Sequence, residues 1–390
     1  MDNNQYITIN DKKYPVVFAH PERNWTWKKD DWLGDLSIIN KTNFDLSQMI
    51  DEKNSKLHSL YESPSFKEYS LHEYSLELQS SWKLEGEDLD FLKIHANLAK
   101  QCERAAAPKE QNAVDAASLL LAASGDMACK QILAVHKRLL QGDAQAGVFR
   151  NSPKAVGRLA NDAYEVVFEA PDPNAVPTWM EAYEQWWNDT RASALPQALG
   201  ATLAHCYFAE IHPFHDGNGR MSRLMMNAFL KAQKPNHSLC LVPNCCISKA
   251  IVQRPSKYYT SLNEYSSKYE INSFVNYILN LQNDAIENAI RRVHLLEALN
   301  EIVAKYDSLL DADEMTILKN AVFSEGDILT LNELMADCTN EKTAIDACKM
   351  FIGSGIISLK GNITITEKTM ESLAKSKGIP TKKKAKKRFL

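Results

Sequence analysis

Apolar residues between positions 80 and 290 recur mainly at spacings of three and four, which is typical of helices that each bury one face. This spacing predicts helices over the following segments: 113–124, 127–140, 178–188, 195–211 and 220–231. Residues 156–170 break the pattern, because they are rich in β-branched and aromatic side chains and contain the turn signal Asn161-Asp162. We expect a β-hairpin there.

The two ends of the chain follow different patterns. Residues 1–78 contain three close tryptophans, Trp25, Trp27 and Trp32, before an amphipathic stretch, and we expect a Trp-rich helical region. Residues 306–370 combine three helical patterns with two short β-branched runs, which predicts a winged helix. We expect a disordered tail over 371–390, because its lysines and arginine repel one another.

Composition narrows the class of protein. The chain has 390 residues, 45% of them hydrophobic, and a formal net charge of -4, which is typical of a folded protein without a general coat of positive charge. No apolar run approaches the roughly 20 residues of a membrane-spanning helix, and the polar N-terminus does not resemble a signal peptide. The eight cysteines form no C-x-x-C pair, so we expect reduced thiols. These observations predict a cytoplasmic protein without membrane contact.

Candidate chemistry is concentrated in residues 211–223. Pro213 ends the preceding helix, and Gly217 and Gly219 allow the backbone to approach a ligand closely. A new helix is expected to begin near Arg220, so the unpaired N–H groups of its first turn favour an anion.

The side chains of this segment agree with a phosphate site. Arg220, Arg223 and Asn227 share one face of the second helix, and two guanidinium groups fit a polyphosphate. Asp216 can hold a magnesium ion that bridges phosphate oxygens, and His212 can accept a proton near neutral pH. The segment therefore offers a base, a metal ligand and an anion site.

From His212 to Arg223 the sequence matches the pattern H-x-F-x-[D/E]-G-N-G-R-x-x-R throughout, and it resembles the motif of the Fic (filamentation induced by cAMP) family. Such proteins usually transfer AMP from ATP to a hydroxyl-bearing side chain of a target protein. The resemblance implies that His212 is the general base for a Tyr, Thr or Ser hydroxyl and that Asp216 coordinates Mg²⁺. The residues implied to bind ATP phosphates are Gly217, Asn218, Gly219, Arg220 and Arg223. Asn227, on the same helix face, is the candidate on the adenine side.

Two further segments are similar to parts of the same family. The hairpin at 156–170 resembles the flap, which docks a target segment by strand addition, and Val166, Val167 and Phe168 are its candidate docking residues. The pattern S-x-x-x-E-G, formed by Ser81, Glu85 and Gly86, resembles the inhibitory helix over 80–86. By that resemblance Glu85 pairs with Arg223 and occupies the place of the γ-phosphate.

The resemblance implies an all-α fold, in which a Fic-type helical core with a small β-hairpin flap is followed by the winged helix. The expected domains are 1–78, 79–295, 306–370 and the tail 371–390. The expected activity is that of an autoinhibited protein adenylyltransferase with ATP as co-substrate. Transfer of other phosphate-linked groups, such as UMP or phosphocholine, stays open.

Two alternative functions remain. In Fic relatives a glutamate at the position of Glu85 can also orient a water that removes AMP. A DNA-binding regulator acting through residues 306–390 is the second alternative, although the expected recognition helix carries only Lys342 and Lys349 as cations. Self-modification and a homodimer are compatible with the resemblance.

Overall fold

The computed structural model describes residues 6–9, 12–18, 38–99, 108–122, 126–231, 243–268, 270–305, 309–324, 330–358 and 362–378. The chain divides into two compact units. The first combines Met1–Ser59 with Glu73–Ile286, and the second combines Leu60–His72 with Glu287–Leu390.

The first unit is mainly helical. Its helices in chain order, with α2 and α11 shared between the units, are α1 (Lys41–Lys56), α2 (Pro64–Lys83), α3 (Phe91–Leu98), α4 (Pro108–Ala122), α5 (Cys129–Leu139), α6 (Val176–Ala192), α7 (Gln197–Ile211), α8 (Asn218–Lys231), α9 (Ser248–Gln253), α10 (Pro255–Lys268) and α11 (Ile271–Lys305). The predicted helical architecture is confirmed.

Helix α7 is the centre of this unit, because almost all of its residues are buried. Its N-terminus is held by Asp51 of helix α1, whose carboxylate accepts hydrogen bonds from the N–H groups of Gln197 and Ala198. Aromatic side chains from α6 and α8 add to the core, and the rings of Trp187 and Phe229 meet edge to face with centroids 4.9 Å apart. The end of α7 is therefore a fixed point for the loop that follows.

The strands of this unit form one sheet in the order β1-β2-β4-β3. They are β1 (Tyr6–Ile9), β2 (Lys12–Phe18), β3 (Ala155–Ala160) and β4 (Ala163–Glu169). The predicted hairpin is present as β3 and β4, with Asn161 and Asp162 at positive φ in its turn. Strand β2 runs parallel to β4 and pairs with Tyr164–Val166, so β4 is an inner strand along that part of its length.

In its described residues, the second unit contains four short helices beside its shares of α2 and α11. They are α12 (Ala312–Phe323), α13 (Leu331–Leu334), α14 (Glu341–Gly353) and α15 (Glu367–Ser376). Helices α12 and α13 each begin with a capping box, formed by Asp311 with Glu314 and by Thr330 with Glu333. The two runs predicted to form the wing are joined, among the described residues, by a single antiparallel bridge between Ile357 and Ile363.

Several predicted boundaries differ from the structure. The region 1–78 is not wholly helical, because its β-branched and aromatic residues near the N-terminus join the hairpin sheet as β1 and β2. Residues 60–72 pack with the second unit, whose share of the long helix α11 begins at Glu287 rather than near position 306. Part of the predicted disordered tail is helical, since α15 continues to Ser376.

Some predictions stay untested. The three tryptophans and the basic residues 382–388 lie outside the described residues. The winged helix itself stays a prediction, and Lys349 of its expected recognition helix α14 pairs with Asp346 at 3.5 Å. In the described part of the chain, no helix is both long enough and apolar enough to span a bilayer.

Candidate active site

A cavity of about 300 Å³ lies where helix α7 ends and helix α8 begins. Its wall is built by the joining loop, strands β3 and β4, helix α10 and the turn that follows helix α2. The sequence-predicted residues on this wall are Glu85, Val167, Phe168, His212, Asp216, Gly217, Asn218, Gly219 and Arg223. The fold therefore brings the predicted base, metal ligand and second arginine to one cavity.

His212 follows helix α7 in the left-handed conformation, with φ 50° and ψ 57°, which a residue with a Cβ adopts only where its surroundings enforce it. Its Nδ1 lies 3.2 Å from the carbonyl oxygen of Ala209. Since a carbonyl can only accept, Nδ1 donates, and Nε2 of the neutral ring is left as the acceptor. Burial lowers the pKa of His212 to about 4. The imidazole is thus neutral at physiological pH and can accept a proton at Nε2.

The backbone around His212 is held by Arg150, which lies between helix α5 and the hairpin. The Arg150 side chain is buried and donates to the carbonyl oxygens of His212, Ser152 and Pro171. Its own N–H donates to the carbonyl oxygen of Pro213 at 2.9 Å. Because one rigid guanidinium fork joins the hairpin ends to the base, their relative positions are fixed.

A second buried residue that the sequence analysis did not single out is His136 of helix α5. Its ring stacks on that of Phe214, with centroids 3.6 Å apart and an interplanar angle of 2°. Nδ1 accepts from the N–H of Gly147 at 2.9 Å, so the protonated Nε2 donates to the carbonyl oxygen of Asp216 at 3.0 Å. Burial lowers the pKa of His136, which favours this neutral form. His136 therefore supports the loop from below.

Asn218 closes the loop between α7 and α8. Its Oδ1 accepts from the N–H of Phe214 at 2.9 Å, and its Nδ2 donates to the carbonyl oxygen of the same residue at 2.8 Å. At this end of α8, the first backbone hydrogen bond runs from the N–H of Met221 to the carbonyl oxygen of Gly217. The N–H groups that precede Met221 are therefore available to an anion. The backbone of Asn218, rather than its side chain, is thus the part that can bind phosphate.

Arg223 lies at one end of the cavity and contacts the segment predicted to be inhibitory. Its Nε donates to Oγ of Ser81 at 2.8 Å, and its Nη2 donates to the carbonyl oxygen of Ser81 at 2.7 Å and to Oε1 of Glu85 at 2.8 Å. Burial disfavours the charged guanidinium, but Glu85, Tyr258 and Tyr259 together outweigh burial, so the pKa of Arg223 is raised. The side chain of Arg223 is 1% exposed, whereas that of Glu85 is 29% exposed.

Gly219 makes room for the Glu85 carboxylate. A Cβ at this position would overlap Oε1 of Glu85 and would lie 3.3 Å from Nη1 of Arg223. A side chain of any kind at position 219 would therefore displace the carboxylate. The same space beside the free N–H groups of α8 suits a phosphate oxygen when the carboxylate is absent.

Asp216 is the candidate metal ligand, and its side chain is 68% exposed on the cavity wall. Its Oδ2 accepts from Nη2 of Arg220 at 3.1 Å. No group of three or more metal-binding side chains occurs among the described residues. A single carboxylate of this kind fits Mg²⁺, which takes one or two protein carboxylates together with phosphate oxygens and waters.

The hairpin reaches the cavity through the end of β4. The rings of Phe168 and His212 lie 5.7 Å apart, and Val167 also lines the cavity. Val166 differs, because it is buried and its backbone position pairs with Phe18 of strand β2. The described pairing of β4 with β2 thus ends at Val166, and Val167 and Phe168 follow it on the cavity wall.

Two predicted ligands lie away from the cavity wall. Arg220 is directed toward the segment after helix α2, where its Nη1 donates to Oε1 of Glu87 at 2.6 Å. Asn227 is 1% exposed and is placed to donate to the backbone carbonyls of Arg223 and Cys245. The wall near Arg223 is formed instead by Tyr258 and Tyr259.

Comparison with known proteins addresses the same segment. Residues 126–230 match the model of the Fic/DOC family. These residues form a Fic/DOC family domain. The protein adenylyltransferases Fic of Drosophila sechellia and of Drosophila melanogaster are each 32% identical to this chain over 155 residues. The alignment covers 39% of this chain and 27% of either relative, so it spans about a quarter of their length.

The fold comparison extends further along the chain. A Fic family protein from Desulfovibrio desulfuricans has a similar crystal structure, with a TM-score of 0.51 and 21% identity. The alignment covers 81% of this chain and 87% of that one. The Fic-type helical fold predicted from the sequence is thus confirmed.

The Fic domain depends on residues with different sequence signals. The motif residues His212, Asp216 and Arg223 are identified by a dense local pattern, whereas Arg150 and His136 lie outside it. Both are polar residues inside otherwise apolar surroundings, and a polar residue on the apolar face of a predicted helix was the only signal available for His136.

Proposed function

We propose that this chain is a protein adenylyltransferase that transfers AMP from ATP to a Tyr, Thr or Ser hydroxyl of a protein target and is restrained by its own Glu85. The observation that carries the proposal is the meeting of His212, Asp216 and Arg223 on one cavity wall, with Glu85 on Arg223. The name of the Drosophila relatives, protein adenylyltransferase, supports the same reaction class.

In the proposed reaction, Nε2 of His212 accepts the proton of the target hydroxyl as its oxygen attacks the α-phosphorus of ATP. The bond between the α-phosphorus and the bridging oxygen breaks, and pyrophosphate leaves. The N–H groups at the start of α8 bind phosphate oxygens, and Arg223 binds the γ-phosphate once Glu85 has moved. Asp216 would hold Mg²⁺, which when bound would neutralise charge on the phosphates.

The target is proposed to dock on the hairpin. Val167 and Phe168 follow the described pairing of β4 with β2 and line the cavity next to His212. A target segment added there would run past His212. Val166, the third predicted docking residue, would contribute only if β2 moved away.

The test uses ATP labelled at the α-phosphate, incubated with the full chain and a cell lysate. Glu85→Gly should raise incorporation into protein on the order of a hundredfold, because the γ-phosphate then meets an unoccupied arginine. Self-modification would appear as label on the chain itself, and size-exclusion chromatography of both forms would detect a homodimer. No incorporation by Glu85→Gly at any nucleotide concentration would refute the proposal.

Removal of AMP is the second candidate function, and the position of Glu85 favours it. Its carboxylate lines the same cavity as His212, where it could orient a water toward a phosphorus atom. The self-modified chain should then lose its label faster when Glu85 is intact than in the variant Glu85→Gln. DNA binding through residues 306–390 is a further proposal, tested by salt-dependent retention on DNA with and without those residues.

A further inference from the structure

The 84–87 turn, which carries Glu85, continues directly from helix α2. The N–H of Gly86 donates to the carbonyl oxygen of Lys83, and the N–H of Glu87 donates to the carbonyl oxygen of Trp82. These are the two hydrogen bonds of a Schellman motif. Gly86 occupies the left-handed position with φ 79°, which favours glycine. The glycine of the inhibitory pattern therefore ends the helix so that the side chains of Glu85 and Glu87 both face helix α8.

Glu87 binds the first arginine of the motif, as Glu85 binds the second. Oε1 of Glu87 lies 2.6 Å from Nη1 of Arg220, whose side chain is only 3% exposed. The Arg220 guanidinium also lies over the ring of Trp82, 5.7 Å from its centroid. Helix α2 and its turn thus contact Arg220 through two side chains.

The Glu85 contact is weakly secured without this second pair. Arg223 keeps two acceptors from Ser81 when Glu85 leaves, so the arginine does not depend on the carboxylate. The side chain of Glu85 is also partly exposed to water, which competes for it. Something besides this ion pair must keep the turn closed if Glu85 is to inhibit.

We propose that Glu87 is a second inhibitory carboxylate, which holds the 84–87 turn against Arg220 and so keeps Glu85 in the γ-phosphate position. This inference rests on the proposed function, because it concerns how the same site is restrained. Glu87 acts through Arg220 and Glu85, and is therefore a positioning residue. Its outer oxygen, Oε2, pairs with Lys109 at 3.0 Å, an exposed contact that adds little.

The test compares Glu87→Gln with Asp88→Asn, a matched loss of one charge at the adjacent exposed position. With Glu85 present, Glu87→Gln should raise incorporation of labelled AMP about tenfold, the usual weight of a hydrogen bond to a charged group. Asp88→Asn should stay within about twofold of the unmodified chain. Glu87→Asp, which keeps the charge but shortens the side chain, should behave like Glu87→Gln.

The double variant separates inhibition from simple support of the fold. When Glu85→Gly is already present, Glu87→Gln should change the rate by less than about twofold, since no inhibitory carboxylate remains to be held. Equal losses of rate in both backgrounds would mean that Glu87 only supports Arg220, and the inference would be wrong. An active Glu85→Gly beside a silent Glu87→Gln would overturn the inference and leave the proposed function standing.

Hydrogen exchange tests the role of Glu87 without any measurement of activity. Hydrogen exchange should be about tenfold faster at the amides of 84–87 in Glu87→Gln than in Asp88→Asn, because the turn opens more often. This result is expected even if Glu85→Gly proves inactive and the proposed function fails. Unchanged exchange at these amides would overturn the role of Glu87.

Discussion

The loop between α7 and α8 and the 84–87 turn meet at the same two arginines but are held in different ways. The loop is fixed by buried side chains that bind its backbone or stack on its ring, namely the Asn218 side chain on Phe214, the His136 ring beneath it and the Arg150 guanidinium beside it. The turn is held mainly by ion pairs whose carboxylates are 29% exposed. A preorganised site is thus combined with a turn, proposed to be inhibitory, whose carboxylates water and phosphate can displace.

The largest effect should come from removing the base in the fixed loop. His212→Ala in the Glu85→Gly background should lower AMP incorporation by about 10² to 10⁴, the usual contribution of a general base. His215→Ala, three positions along the same loop, is the matched control and should stay within about threefold. Equal losses in the two variants, measured with α-labelled ATP, would show that the loop and not the imidazole is needed.

A smaller effect should follow from weakening the support below the loop. His136→Phe keeps a ring against Phe214 but leaves the N–H of Gly147 and the carbonyl of Asp216 without their partner. We expect a loss of about 1–3 kcal/mol in the free energy of unfolding and a lower kcat. Denaturant unfolding measures the first. A stability equal to that of the unmodified chain would show that the loop holds itself.

On the inhibitory side, Ser81→Ala should have a more modest effect of opposite sign. It removes the Oγ acceptor of Arg223 but leaves the backbone acceptor and Glu85 in place. Arg223 becomes freer to turn toward a nucleotide, so incorporation with Glu85 intact should rise about twofold to fivefold. Ser80→Ala, at the preceding position, is the control. A fall in rate with Ser81→Ala would mean that Ser81 positions Arg223 for catalysis instead.

The smallest expected change is in the pH profile of Glu85→Gly. Because burial lowers the pKa of His212 to about 4, the base stays neutral as pH falls from 8 to 5.5. The rate should vary less than about twofold over this range and decline as pH approaches 4. An imidazole with the ordinary value near 6.5 would lose about tenfold by pH 5.5. Such a loss, in a protein that circular dichroism shows to be folded, would contradict the prediction that burial keeps the His212 imidazole neutral over this range.

The sequence predicted those features whose signal is local. Helical spacing located the main helices, and the dense pattern from His212 to Arg223 located the loop. Strands β1 and β2 were missed because β2 pairs with β4, about 150 positions away, and β1 joins the sheet only through β2. Short strands of this kind carry little signal of their own. We predicted that Asn227 lies near the nucleotide because it shares a helix face with Arg220 and Arg223. The structure buries Asn227 instead, since one face of a helix can border both the cavity and the core.

Long-range partners explain the other misses. Arg150 and His136 contact backbone atoms, which any residue type presents, so no sequence pattern marks their partners. Glu87 lies only two positions from Glu85, yet its role depends on where Arg220 points, and that direction follows from the packing of α2 against α8. The pattern that links Ser81 to Glu85 is local and was predictable, although α2 ends at Lys83 and Glu85 lies on the turn that follows rather than within the helix predicted over 80–86.

The end of β4 limits the proposed docking of a target. Strand β2 pairs with Tyr164–Val166, so a polypeptide strand added beyond that pairing would meet only Val167–Glu169, where at most about two ladder hydrogen bonds fit. So brief a ladder gives weak and sequence-tolerant capture. Discrimination among clients would have to come from surfaces beyond the hairpin, and short peptides copied from a client should be poor replacements for the folded protein.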